Sequence, residues 1–480
     1  MLAFVLLLFI AAPVATQTPD SQTIIPLGQI VEKVVCAQDV NQTYALYLPS
    51  NYVATRKWPI LYAFDPGARG RIPVERFREA AERFGWIIVG SNNSRNASIQ
   101  ASLDSWNAIT RDTAARFSLD DGRDYAAGFS GGARVAILFA TQCNDCLTGV
   151  IAAGAGFPEG VEPSAKIRFA VFGAAGIEDF NYPEMKLLDE KLERAGITHR
   201  TETFEGRHEW PPSSTAIDAL AWMELLAMKS ALRPRDETLI DTLWKERLKR
   251  AQDAESAGRI YEAYQIYLEM SATFKTLRDV AEFEKKAEQL RNTREVRDGL
   301  RDEQQQIKKQ RELEGQIIGL IVATQRTKVP EAASDRNPQA TDETLDPYTR
   351  LKGILATLRR QVKAEEDSAA RRVARRVVSG QYAGLFERGS NSLQTQKRYD
   401  DAVHYFTLAT EIDPERAGAF YYLAWAYSSK GDRKKSLKAL QTAVDKGFSD
   451  VAGLESNKAF DSLRDDPQYQ KIIEALKARR

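Results

Sequence analysis

Gly128-Phe129-Ser130-Gly131-Gly132 is bracketed by two stretches of different character. Before it, Asp124-Tyr125-Ala126-Ala127 is short and apolar enough to be a buried strand. After it, Ala133-Arg134-Val135-Ala136-Ile137-Leu138-Phe139-Ala140 has the composition of a helix packed on a sheet. Strand, tight Gly-x-Ser-x-Gly turn and helix in succession make a nucleophile elbow. The serine sits in a strained turn with its hydroxyl above the sheet. Side chains two residues to either side would collide with the neighbouring strand and helix.

Outward from the elbow, apolar runs bounded by turn residues recur at the spacing of an α/β domain. Thr43–Pro49 alternates as a partly exposed strand, and Pro59–Phe64 and Trp86–Gly90 read as buried parallel strands. Gly149–Ala153, Arg168–Gly173 and Arg200–Phe204 follow the elbow, and a first strand lies near Ile30–Cys36. Helical patterns fall between them at about 74–84, 100–117, 133–142, 183–195 and 213–230. Eight strands with interleaved helices are expected over residues 24–232.

This organisation resembles the α/β-hydrolase superfamily, and within it the compact esterases related to feruloyl esterases, polyhydroxyalkanoate depolymerases and dienelactone hydrolases. The resemblance implies a three-layer sandwich with a mostly parallel sheet, and a serine, acid and histidine in that chain order. Ser130 is the implied nucleophile. The acid falls three residues after the glycine in Gly176-Ile177-Glu178-Asp179, on Asp179, with Glu178 the alternative. The histidine loop is Glu205-Gly206-Arg207-His208-Glu209-Trp210. Of the three histidines, His199 opens the last strand at the end away from the elbow and His404 lies far along the chain, which leaves His208.

A serine hydroxyl attacks a carbonyl only when a base takes its proton, and an imidazole of ordinary pKa about 6.5 suits that task. A buried carboxylate then fixes the ring tautomer. The oxyanion needs two preorganised donors, each worth about 3 kcal/mol of barrier. One is expected from the backbone N–H of Gly131. The other is expected from the loop Asp65-Pro66-Gly67-Ala68-Arg69-Gly70, where proline has no N–H and Gly67 or Ala68 must donate. Asp65 and Arg69 are expected to make the site mouth polar. Ser91-Asn92-Asn93-Ser94-Arg95-Asn96 follows the fourth strand at the sheet edge where α/β folds bind ligands. It reads either as a substrate-contacting loop, through Asn92 and Asn93 and with Arg69 nearby, or as an ordinary turn.

Lys and Arg number 67 against 66 Asp and Glu, so no global field favours nucleic acid or an anionic membrane. Residues 1–12 form an uncharged apolar run followed by Pro13-Val14-Ala15-Thr16, which reads as an export signal over 1–16 and implies an extracytoplasmic protein with no membrane span once mature. Cysteines number three. Cys143 and Cys146 are either a small structural disulfide or two plain thiols, since nothing nearby completes a four-ligand zinc site. No metal or cofactor is expected.

After about residue 235 the chain becomes dense in Lys, Arg, Glu and Gln. Residues 235–328 are expected to be helical, with a weak repeat around Gly258–Ala263 and a long charged helix over 279–326. Residues 329–346 hold two prolines and no period, and read as a linker. Residues 383–416 and 417–450 align at a period of about 34, with Phe386, Ala402, Phe406, Ala409 and Pro414 in the first copy and Phe420, Leu423, Ala424, Tyr427 and Ala443 in the second. These resemble tetratricopeptide repeats, and 457–476 reads as their cap within 347–480. The basic run Arg371-Arg372-Val373-Ala374-Arg375-Arg376 reads as a solvated helix face.

Together the resemblances imply an exported serine hydrolase acting on a small or polymeric carboxylic ester through an acyl-serine, with repeats that recruit a protein and stand apart from the catalytic site. An inactive hydrolase-like scaffold and a serine peptidase are the alternatives.

Overall fold

The computed structural model describes residues 25–96, 98–143, 145–326 and 346–478. The apolar run at 1–16 and nearly all of the 329–346 linker lie outside the described residues. Strands β1 (Ile30–Cys36), β2 (Asp39–Tyr47), β3 (Trp58–Phe64), β4 (Ile87–Ser91), β5 (Leu119–Phe129), β6 (Gly149–Ala153), β7 (Ala170–Gly176) and β8 (His199–Phe204) form one sheet ordered β1-β2-β4-β3-β5-β6-β7-β8. Pairs β1–β2 and β2–β4 are antiparallel and the remaining pairs are parallel. Helices α1 (Arg71–Phe84), α2 (Ile99–Arg116), α3 (Gly131–Gln142), α4 (Tyr182–Arg194) and α5 (Ser213–Lys229) cover both faces. The fold is an α/β-hydrolase three-layer sandwich followed by an all-helical region.

Both sheet faces are covered, so the central strands are buried along their whole length. Side chains of β3 alternate between two cores. Trp58, Ile60, Tyr62 and Phe64 pack with Ile109 of α2, Phe139 of α3 and Leu188 of α4. Leu61 and Ala63 pack on the other face with Phe77 of α1 and Trp222 of α5. Strand β7 begins two residues later than expected and runs on through Ala174, Ala175 and Gly176, which carries the following loop to the end of the sheet where the elbow lies.

The helical region comprises α6 (Glu237–Ser256), α7 (Ile260–Phe274), α8 (Ala281–Arg291), α9 (Arg294–Arg326), α10 (Pro347–Val362), α11 (Ala369–Ser390), α12 (Tyr399–Ile412), α13 (Ala417–Lys430), α14 (Arg433–Asp445), α15 (Val451–Ser456) and α16 (Pro467–Ala478). The charged stretch expected as one helix is broken at Asn292–Thr293 into α8 and α9. Asp346 caps α10 by accepting from Tyr348 N at 3.0 Å and Thr349 N at 3.1 Å, with Pro347 at the first helical position. Ala221, Leu225 and Met228 of α5 share a core with α6 and α7, so the two regions join through apolar packing. No helix among the described residues is long and apolar enough to cross a membrane.

A buried ionic node ties the sheet to this junction. The fully buried carboxylate of Glu224 on α5 accepts from Trp86 Nε1 at 2.5 Å and also from Arg123 and Arg233. Glu224→Ala leaves Arg123 buried without its main partner, and is expected to cost about 3–5 kcal/mol. A lowered urea midpoint for the transition that quenches buried tryptophan would show it.

Candidate active site

The turn between β5 and α3 holds Ser130 at φ 53° and ψ −122°, outside the ordinary regions for a residue with a side chain. Close packing enforces it. A Cβ on Gly128 would lie 2.1 Å from the Gly132 carbonyl oxygen, and one on Gly132 would lie 1.9 Å from the Phe64 oxygen. Ser130 N donates to the Ala153 carbonyl at 2.8 Å, which pins the turn to β6.

The structure brings Ser130, His208 and Asp179 together. His208 Nε2 lies 2.9 Å from Ser130 Oγ, and His208 Nδ1 lies 2.8 Å from Asp179 Oδ1. Asp179 is fully buried, and its Oδ1 also accepts from Asn181 N at 2.8 Å. Its Oδ2 is buried with no hydrogen-bond donor among the described residues. The acid loop after β7 and the histidine loop after β8 lie in contact, since Glu178 N donates to the Gly206 carbonyl at 2.9 Å. Rings of Phe129 and Phe180 flank the imidazole at centroid distances of 4.6 Å and 4.0 Å. Glu178 points elsewhere: it pairs with Arg375 of α11 and lies 3.5 Å from Arg207.

The loop after β3 is arranged differently from the expectation. Asp65 is fully buried rather than at a polar mouth. Its Oδ1 accepts from Gly67 N at 2.8 Å and Arg69 Nε at 2.8 Å, and its Oδ2 accepts from Arg69 Nη2 at 3.0 Å and Trp210 Nε1 at 2.8 Å. Ala68 N donates to the Asp65 carbonyl at 3.1 Å. The N–H groups of Gly67 and Ala68, the expected second oxyanion donors, are therefore both engaged. Arg69 serves Asp65. Asn92 and Asn93 are likewise structural, with Asn92 Nδ2 donating to the Glu32 carbonyl and Asn93 bridging Thr43 N and the Asn41 carbonyl.

Other candidates resolve simply. Cys143 and Cys146 are disulfide-bonded just beyond α3. Cys36 is buried, and burial, reinforced by Asp112, pushes its thiol up to about 12, so it is no nucleophile. His199 stands 3.3 Å from Asp189; burial opposes its charge, but this hydrogen bond prevails and raises its pKa.

Ser130 and His208 open into a cleft of about 1720 Å³ whose far wall is helical, including Gln310 and Arg311 of α9 and Gly380, Tyr382 and Gly384 of α11. The repeats were expected to stand apart from the site; instead α11, which runs into the first of them, lines the cleft. It also holds the acid loop. Arg376 is 2 % exposed, donates from Nε to the Ile177 carbonyl at 2.6 Å and stacks 3.8 Å over the Tyr182 ring. Burial lowers its pKa, while Tyr182, Glu303 and Asp179 pull upward. Gln310 Nε2 donates to the Phe180 carbonyl at 2.9 Å, and a Cβ on Gly380 would lie 2.9 Å from Phe180 Cβ. Arg375 and Arg376 are thus not on a solvated face. The interleaved Val373, Ala374 and Val377, all buried, were the signal in the sequence.

No protein-family profile matches this sequence, and neither does any curated protein. Solved structures do resemble it. A ferulic acid esterase is 17% identical, covering 40% of this chain and 96% of its own, with a TM-score of 0.34. The substrate-bound fluorophosphonate-binding serine hydrolase F of Staphylococcus aureus is 16% identical, with 38% and 92% covered and a TM-score of 0.32. A hyperthermophilic esterase from the archaeon Pyrobaculum calidifontis is 12% identical, with 42% and 87% covered and a TM-score of 0.35. At these identities and TM-scores the likenesses carry no argument, and the reading of the chain rests on its own sheet and site.

Because α11 supports the loop that carries Asp179, Arg376→Met is expected to slow fluorophosphonate modification of Ser130 by about tenfold to 10²-fold. Arg376→Lys, which keeps a charged donor, is expected to fall between. Both rates are to be measured on protein whose circular dichroism matches the parent.

Proposed function

We propose that the chain is a serine hydrolase that cleaves carboxylic esters through an acyl intermediate on Ser130. The observation that carries this reading is the hydrogen-bonded series from Ser130 Oγ through His208 to buried Asp179, 2.9 Å and 2.8 Å, at the edge of an open cleft. His208 Nε2 takes the hydroxyl proton as Oγ bonds to the carbonyl carbon, and the carbonyl electron pair moves onto oxygen. Collapse breaks the ester C–O bond, and the imidazolium returns its proton to the departing alkoxide. Water repeats the sequence on the acyl-serine. Asp179 holds the tautomer that leaves Nε2 free to accept, and its charge offsets that of the imidazolium.

A cleft of about 1720 Å³ exceeds the roughly 300–1,000 Å³ of small-ligand sites. It supports an ester carried on a large group. The Cys143–Cys146 disulfide supports an extracytoplasmic location, where such bonds persist. The tetratricopeptide-like periodicity supports a protein-binding role for the helical surfaces turned away from the cleft.

Full-length protein should be labelled at Ser130 by a fluorophosphonate, and Ser130→Ala should lose both labelling and turnover of short p-nitrophenyl esters by several orders of magnitude. An unlabelled parent protein would leave the inactive scaffold as the better reading. Asp179→Asn should slow turnover by about 10³-fold or more, since it disturbs the imidazole tautomer, whereas Glu178→Gln should cost far less. Equal losses in the two variants would remove Asp179 from this role.

A further inference from the structure

An oxyanion on the substrate carbonyl needs a second donor beside Gly131, and the loop after β3 does not offer one from Pro66, Gly67 or Ala68. None of residues 65–70 lines the cleft into which Ser130 and Gly131 open. Gly131 opens α3, so its N–H is one of the N-terminal amides that a helix leaves without an internal partner. The group that stands next to it is the carboxamide of Asn96.

Asn96 lines the same cleft as Ser130 and Gly131. A Cβ built on Gly131 would lie 1.9 Å from Asn96 Oδ1, 2.7 Å from Cγ and 3.0 Å from Nδ2, so the carboxamide rests directly on the Gly131 backbone. Only a glycine at 131 permits that approach. The amide makes no hydrogen bond to the described residues, whereas Asn93 uses both its carbonyl and its NH2 and Asn92 donates from Nδ2 to the Glu32 carbonyl. Its backbone is fixed: Asn96 N donates to the Pro66 carbonyl at 2.9 Å, and Arg95 bridges Gly67 in antiparallel fashion. The loop after β4 is thereby stitched over the loop after β3, and it brings a side-chain donor to the elbow where backbone donors are engaged. A half-turn about the Cβ–Cγ bond presents either Nδ2 or Oδ1 to the cleft.

We propose that Asn96 is a catalytic residue whose side-chain N–H completes, with the backbone N–H of Gly131, the oxyanion hole for attack by Ser130. The proposal rests on Ser130 being the nucleophile. In the step it serves, the Oγ–C bond forms, the carbonyl π pair becomes the oxyanion lone pair held by the two donors, and the serine proton passes to His208 Nε2. On collapse the pair re-forms the carbonyl as the alkoxide leaves. A donor aimed at charge that exists only in the transition state acts on kcat and little on KM.

The test uses full-length protein, p-nitrophenyl acetate and an alkyl boronic acid, which forms a tetrahedral adduct on a reactive serine. Asn96→Ala and the near-isosteric Asn96→Asp are each expected to lower kcat by about 10²–10³-fold with KM changed less than about threefold. Boronic acid affinity should weaken in both. Asn96 is solvent-exposed, so its truncation should leave the thermal melt unchanged. Gly131→Ala, whose methyl displaces the carboxamide, should add little further loss on top of Asn96→Ala. Labelling of the parent at Ser130 together with Asn96 variants within about threefold of parent kcat would overturn the proposal and leave the nucleophile assignment intact. A loss confined to KM would make Asn96 a binding residue and would overturn it equally.

Discussion

The guanidinium of Arg376, buried against the Ile177 carbonyl and the Tyr182 ring, is the contact around which the two halves are organised. Removing such a group from water costs several kcal/mol unless partners replace the solvent. Here the partners are a carbonyl on Nε, an aromatic face and the combined field of Glu303 and Asp179, while Nη1 is buried with no acceptor among the described residues. All belong to, or lie beside, the segment that carries the candidate acid. Lys186 and Tyr182 of α4 both bond Glu303 of α9, which fastens that segment to a second helix. The charge of Asp179 thus stabilises the interface, and the interface in turn fixes the position of Asp179.

A second set of contacts ties the loops at the end of the sheet to one another. Asp65 binds the start of the loop after β3 to Trp210, two residues beyond His208, and Asn96 N binds Pro66. Gly176 lies so close to Gly206 and Arg207 that a Cβ would meet their carbonyl oxygens at 2.5 Å. Each loop therefore holds another through a backbone group or a fully satisfied side chain. Such mutual bracing limits the reorganisation that a reacting centre must avoid.

Much of this was legible from residue order alone. Apolar runs of strand length marked the central strands β3, β4, β6 and β7, because strands buried on both faces have little choice but continuous Val, Ile, Ala and aromatic residues. The elbow was readable because its glycines answer a local collision, and His208 because histidines are scarce. What escaped notice depends on contacts between distant segments. That Asp65 would capture the Gly67 amide follows from its burial, which no spacing reveals. Asn96 looked like its neighbours Asn92 and Asn93 until the stitched loops turned it toward Gly131. Arg375 and Arg376 looked like a solvated face because a charge run usually is one; only the apolar residues flanking them, Val373, Ala374 and Val377, hinted at a buried helix. The separation of repeats from site failed for the same reason, since α11 extends back from the repeat to Ala369 and meets the acid loop with that earlier part.

The placement of Arg376 has a further consequence in time. A ribosome delivers Ser130, Asp179 and His208 in the first half of the chain, and the sheet that presents them is complete at Phe204. Arg376 follows some 170 residues after Phe204, which at about 5–20 residues per second is an interval of roughly ten to thirty seconds. Throughout that interval the acid loop of the sheet-bearing half has no brace and its cleft no far wall. Completion of the candidate site is therefore ordered along the chain, with Ser130 reaching its final surroundings only when most of the polypeptide is available.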